Sequence, residues 1–430
     1  MAETETAAVL QSAQMKKTHS MRAFLAIWTG QAISVFGSEL VEFALIWHLT
    51  VRSGSAVVLT LATLVQILPR TVLGPFVGVW IDRWNRRYVM QIADALTASV
   101  TMLLAALFHL GLVQTWHLYV LLFAGALGQT MHASAFTAST TLMVPKNQLT
   151  RIGGLNQVLV GATSILGPPV GALLIETLPI QGILSIDVAT ALVAVTSLFF
   201  VHVPQPTCST TGGRASIWRD VKRGFTYVWS WRGLAIVTGV SMVLNLMLVP
   251  AFSLLSLIVF EHFQGSALQL GWMEAAFGIG MLAGGALLGT WGGFERRINT
   301  MFAGVGLLGL MMVVIGAVPA NCLFLAIAAM FLVGLGLALD NGAAQALFQV
   351  LIAPDRQGRV FATLRALRTL MSPLGLALAG PFTDAFGTQS WMLCAGIGIT
   401  TMSTAMRFIP DVANIEGAGG SIRRSDGGEV

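Results

Sequence analysis

Two glutamates, Glu39 and Glu42, stand three residues apart inside an apolar run that begins near Ala23. If the run is helical, that spacing puts both carboxyls on one face. Counted from Ala23, Glu39 lies ~24 Å along such a helix. An ionised acid at mid-membrane costs about 2.5–3.5 kcal/mol even on the lenient insertion scale, and low dielectric favours the neutral form of an acid. An acid so placed can take up and release a proton near neutral pH, or hold a cation. Other apolar runs also carry isolated polar groups: Arg70 beside Gln66, Gln129 with His132, Asn245, and Asp340 with Asn341 and Gln345. The alternative role for Glu39 and Glu42 is that of outer-vestibule residues, or of static partners for Arg70. Asp340 and His132 could equally be packed and satisfied in place.

These groups must be positioned by membrane helices. Apolar residues make up 55% of the 430-residue chain and charged residues 10%, against about 45–50% and about 25% in soluble domains. Twelve runs are long enough to cross ~30 Å of hydrocarbon as helices: 23–49, 57–80, 88–110, 117–141, 152–176, 183–203, 234–260, 269–292, 298–319, 322–347, 359–384 and 389–409. Helices are expected because lipid offers backbone amides no partner, and the runs lack the alternation of barrel strands. The polar N-terminus lacks the apolar core and cleavage site of a signal peptide, so the first span is expected to stay as an anchor.

Basic residues set the orientation. Of 24 Lys and Arg, 22 fall on one side of the twelve runs, leaving Arg52 opposite and Arg70 within the second run. By the positive-inside rule both termini are cytoplasmic. The densest charge lies in GVWIDRWNRR, residues 78–87, between runs two and three; a reduced copy, GTWGGFERR, occupies 289–297. In the first loop Asp82 can interact with the N-terminus of a neighbouring helix, while Arg83, Arg86 and Arg87 can bridge to acids across the halves. Asp94, two turns further on, is expected to partner these arginines. The bland reading is a topology signal only. Pro145 and Pro354 also echo each other, each leading to an Arg (Arg151, Arg359) and then to a Gly/Pro-rich helix. Two parallel repeats follow: a cytoplasmic tail 1–22, bundles 23–203 and 234–410, a linker 204–233 with an amphipathic helix from Ser216, and a disordered tail 411–430.

The stretches WTGQAISVFGS (28–38), ALIWHLTVRSGSAVVLTLATL (44–64), LPRTVLGPFVGVWIDRWNRRYVM (68–90), VPKNQLT (144–150), GGALLGTWGGFERR (284–297), ALFQ (346–349) and GRVF (358–361) resemble major facilitator transporters. The type is the drug:proton antiporters, most like bacterial macrolide-efflux proteins. The resemblance implies an all-α membrane protein of twelve helices in two pseudo-symmetric six-helix bundles, in the bacterial inner membrane. It implies a central cavity lined by helices 1, 4, 7 and 10, hence by Glu39, Glu42, Gln129, His132, Asn245, Asp340, Asn341 and Gln345, with Arg70 nearby. It implies a cytoplasmic gate of Gly78, Asp82, Arg83, Arg86, Arg87, Asp94, Arg296, Arg297 and Arg359. The antiporter helix 5 motif is partial, with Gly161, Gly167, Pro168 and Gly171 kept but Thr163 and Ala172 at positions often Gly; Gly293 stands where the first basic loop has Asp82.

The function implied is export of an amphipathic small molecule, a macrolide foremost, in exchange for protons, by a monomer in the lipid bilayer without cofactor. Siderophore export or lysolipid movement are alternatives within transport, and a transport-inactive sensor or scaffold is one outside it. Enzymatic readings lack support. No GxxxxGK[ST], HExxH or GxSxG occurs, Cys208, Cys322 and Cys394 lack metal spacing, and the +5 charge is scattered rather than patched, which argues against nucleic acid.

Overall fold

A computed structural model describes residues 21–74, 77, 84–201 and 225–416. The gate residues Gly78, Asp82 and Arg83, the tail 1–20, most of the linker and residues 417–430 lie outside the described residues. All regular structure among the described residues is helical. The main helices are α1 (Met21–Ser53), α2 (Ala56–Leu68), α3 (Arg86–His109), α4 (Thr115–Met143), α5 (Leu149–Thr177) and α6 (Ile180–Phe200), then α7 (Arg232–Ser253), α8 (Ala267–Trp291), α9 (Arg297–Ala317), α10 (Leu323–Leu351), α11 (Pro354–Phe386) and α12 (Ser390–Met406). Among the described residues, nine are both long and apolar enough to cross a membrane. The other three are α4, diluted by Gln129, His132 and many Ser and Thr, α11, with its arginines, and α12, which has 17 residues.

Local chemistry accounts for several breaks. Pro69 cannot donate an amide, and α2 passes there into a π-helical turn, Pro69–Leu73, that carries Arg70. Asn85 caps α3 by accepting from the Arg87 amide at 3.0 Å. At the end of α8, Gly292 and Gly293 both take positive φ, +80° and +83°. This left-handed termination explains why the second basic loop carries Gly293 where the first has Asp82, since a side chain there would be strained and would press on Thr300.

The described chain divides into two compact units. The first comprises residues 1–45 and 65–210, with a core that includes Phe24, Ile27, Met90, Ile152 and Leu198. The second comprises 46–64 and 211–430. The division therefore departs from the expected boundary in one segment: the hairpin joining α1 to α2 packs with the C-terminal helices. The second core also takes in both ends of its sequence. Val228, from the linker, is fully buried there, as are Val412 and Ile415. The tail expected to be disordered from Asp411 begins instead with a turn of helix, Pro410–Ala413, and Glu416 accepts from the Ile298 amide at the start of α9. Two apolar residues three apart, Val412 and Ile415, outweigh the polar composition around them.

Within the second unit, α10 runs in backbone contact with α8 and α9. A Cβ on Gly336 would sit 2.7 Å from the Gly304 carbonyl oxygen, and one on Gly304 would sit 2.6 Å from that of Gly336. Such small residues let membrane helices approach closely. Gly336→Ala should therefore cost about 1–3 kcal/mol as overpacking and lower the thermal midpoint of the purified protein by several degrees. Gly154→Ala, where a Cβ meets nothing within 4 Å, should leave the midpoint unchanged or raise it. Equal effects of the two would show that the α9–α10 crossing is not so close.

Candidate functional site

The first unit holds a cavity of about 590 Å³ lined by α1 to α4 with one residue of α6. Glu39, Glu42, Gln66, Arg70, Gln129 and Asp187 supply much of its polar wall. Glu39 is exposed to this space and Glu42 half-buried. Arg70 is presented by the π turn that Pro69 begins. A second space of about 210 Å³ shares Ser38, Glu39, Glu42, Thr97, Gln129 and Ala133 with the first and extends to Gln31, Asp94 and His132. The two glutamates thus border both spaces from one face of α1.

The face of α1 that bears the glutamates is backed by α5. A Cβ on Gly167 would lie 3.5 Å from the Glu39 Cβ, and one on Gly171 would lie 3.0 Å from the Phe43 ring. The paired four-residue spacings, 167/171 against 39/43, make one helix crossing in which glycine gives α1 its room. Pro168 and Pro169 sit inside α5 without ending it, and Gly161 and buried Thr163 lie a turn or more before them. Trp28 Nε1 donates to Asn156 Oδ1 at 2.7 Å and fixes the same pair of helices nearer their N-terminal ends.

Asp94 is buried on α3. It accepts from Gln31 Nε2 at 3.0 Å and faces His132 Nε2 at 3.5 Å. Among the described residues its partners are thus an amide and an imidazole rather than Arg86 or Arg87. Those arginines that are described reach carbonyls of their own unit. Arg86 Nη1 donates to Ala138 O at 2.6 Å, and Arg87 donates to Leu198 O and Phe199 O at 2.9 and 2.7 Å. The latter two are last-turn carbonyls of α6, which have no partner in their own helix and favour a cation. Arg296 and Arg297 are exposed at the start of α9, and Arg359 is exposed near the start of α11.

The remaining candidates fall in the second unit. Asp340 is 5% exposed on α10, and the charge acting on it is that of Arg368 on α11. Asn341 and Gln345 are exposed on α10. Asn245 Nδ2 donates to Ser241 O within α7 at 3.0 Å. Sequence reasoning missed two features. Arg368 stands well inside α11. Asp187 joins three helices by accepting from Ser38 Oγ and Thr101 Oγ1, both at 2.9 Å.

Long apolar helices, glycine-mediated crossings and acids bordering cavities describe a polytopic membrane protein, and comparison with known proteins gives its family. Residues 18–412 match the family described as "Transmembrane secretion effector". The chain belongs to this family of major facilitator transporters. Macrolide efflux protein A of Streptococcus pyogenes is 30% identical over 393 residues, covering 91% of this chain and 97% of that protein. The multidrug efflux pump Tap of Mycobacterium tuberculosis is 27% identical, covering 94% and 96%. Among solved structures, a bacterial homologue of the human lysosomal transporter Spinster superposes with a TM-score of 0.70 at 12% identity, covering 91% of this chain and 96% of that one. The nucleoside transporter NupG gives a TM-score of 0.68 at 13% identity, covering 90% and 98%. The fold is accordingly the major facilitator fold, twelve helices in two six-helix bundles, and the protein is a multi-pass membrane protein.

The α1–α5 crossing yields a graded expectation. Gly171→Ala must displace the Phe43 ring, whereas Gly167→Ala makes only ordinary contact with Glu39. The first should lower transport and thermal stability more than the second, and Gly167→Val should exceed Gly167→Ala. Transport and melting of the three purified variants would check the order. A reversed order would mean that α5 does not set the position of the acidic face.

Proposed function

We propose that this transporter exports an amphipathic, cation-bearing small molecule in exchange for protons, with macrolides the foremost candidate substrates. The observation that carries this reading is the placement of Glu39 and Glu42 on one face of α1, both bordering a 590 Å³ cavity with Arg70 and Gln129. An acid in such a space can hold a proton or the ammonium of a substrate, and exchange of one for the other couples their movements. Arg70 tunes the pair as the one cation on the cavity wall among the described residues. The relatives described as macrolide and multidrug efflux proteins support the direction and chemistry of transport. Exchange of one proton for one monocation moves no net charge, so the pH gradient drives it, at about 1.4 kcal/mol, or about tenfold in substrate gradient, per pH unit. ATP is unnecessary. The basic loops support an orientation with both termini cytoplasmic, and the bacterial relatives support location in a bacterial plasma membrane.

Asp340, under the charge of Arg368, gives the second unit a buried acid of its own, which we assign to coupling alongside the glutamates. Gly78, Asp82 and Arg83 complete the reading as parts of a cytoplasmic gate, with Arg86 and Arg87 anchoring its end to α4 and α6.

In proteoliposomes, Glu39→Gln or Glu42→Gln should abolish uphill accumulation driven by an imposed pH gradient, yet spare downhill exchange, because Gln mimics the protonated acid without cycling. Asp340→Asn reports whether the second unit shares the task. Full pH-driven accumulation by all three variants would assign these acids to structure. The substrate class is tested by expression in a pump-deficient bacterium. Resistance should rise for macrolides above cationic dyes and iron-chelator precursors; protection against chelator precursors alone would favour siderophore export instead.

A further inference from the structure

The tip of the α1–α2 hairpin is held by the C-terminal helices through one carboxylate more than any other group. Asp384, in the last turn of α11, accepts from the Ala56 amide at 2.6 Å, from Ser55 Oγ at 2.9 Å and from the Val57 amide at 3.3 Å. These amides belong to the first turn of α2, where no carbonyl of the same helix can reach them. A carboxylate there also faces the positive end of the helix dipole. Helix α2 thus receives an N-terminal cap from a residue 328 positions away, while the local hydroxyl of Ser55, itself a donor to Asp384, accepts from the Val58 amide at 3.5 Å.

The contacts around this cap are weaker in kind. Thr50 Oγ1 donates to Ser256 Oγ at 2.8 Å, and the hydroxyls of Thr63 and Ser253 lie 2.7 Å apart. Trp47 meets Phe260 edge to face at 6.0 Å. Gly380, one turn before Asp384, lets α2 approach, since a Cβ there would fall 2.9 Å from the Val57 Cα. Hydroxyl pairs exchange for water at small cost; a charge-assisted cap on a helix end is stronger and has no equal substitute nearby. One opposing charge is present, because Glu261 acts on Asp384 as a like charge.

A major facilitator that works by alternating access must part this hairpin from the C-terminal helices whenever its outer side opens. We propose that Asp384 is the outer latch of the transport cycle, a positioning residue that sets how firmly the hairpin 46–64 is held on α7 and α11. The inference rests on alternating access and not on any substrate.

Disulfide trapping tests it without a transport assay. In a chain with Cys208, Cys322 and Cys394 replaced by Ser, Thr63→Cys and Ser253→Cys put sulfurs where two hydroxyls now touch. Oxidation in native membranes should join them, as read on a non-reducing gel after protease cleavage in the 204–233 linker. Adding Asp384→Ala should slow joining about fivefold, the scale of a lost helix cap. Asp384→Asn, with one acceptor oxygen and no charge, should fall between. Glu261→Gln, which removes the opposing charge, should join at least as fast as the parent. Equal rates with and without Asp384→Ala, at equal protein content in the membrane, would overturn the proposal. So would equal slowing by Glu261→Gln, because that would mark general damage to the hairpin.

Discussion

Lipid can solvate neither an amide nor a charge, and nearly every feature of this protein answers to that constraint. Backbone amides satisfy one another in long helices. Where a helix ends or breaks, a specific group must take over: Asn85 for α3, Asp384 for α2, Glu416 for α9, and the guanidinium of Arg87 for the last carbonyls of α6. Charges inside the membrane follow the same rule. Asp187 is held by two hydroxyls, Asp94 by an amide and an imidazole, and Asp340 lies under the influence of Arg368.

Glu39 and Glu42 differ from these satisfied acids. They border open space rather than a ring of donors, and α5 backs them with glycine rather than with polar side chains. An acid that faces water in a cavity can change its protonation without breaking a packed network. Asp187 would have to surrender two hydroxyl donors to do so. Geometry thus separates acids fit for exchange from acids fit for joining helices, although all of them look alike as isolated charges in apolar runs.

Much of this was legible in the chain. Run lengths, the asymmetry of Lys and Arg, and the repeated basic loop are consequences of the bilayer and survive without any knowledge of tertiary contact. The three-residue spacing of Glu39 and Glu42 placed them on one face. What sequence could not give were partners chosen by packing. Asp94 was assigned to the arginines by proximity along the chain, yet Gln31 and His132 meet it from two other helices. Gly293 looked like a lost acid and is instead a left-handed helix terminator. Asp384 sits in GPFTDAFG as an unremarked acid near a helix end, and only the fold shows that it caps a helix from the other end of the chain. Val412 and Ile415 carried a signal in their spacing that a polar average concealed.

The central claim is that substrate and proton compete for Glu39 and Glu42. Its most direct test is proton release on binding. Purified protein in weakly buffered detergent solution is titrated with a macrolide while a pH dye is followed near neutral pH. Release of protons that saturates with binding, and its loss in the Glu39→Gln, Glu42→Gln double variant, is the expected result. Saturable binding with no proton release, or release that persists undiminished in the double variant, would contradict it.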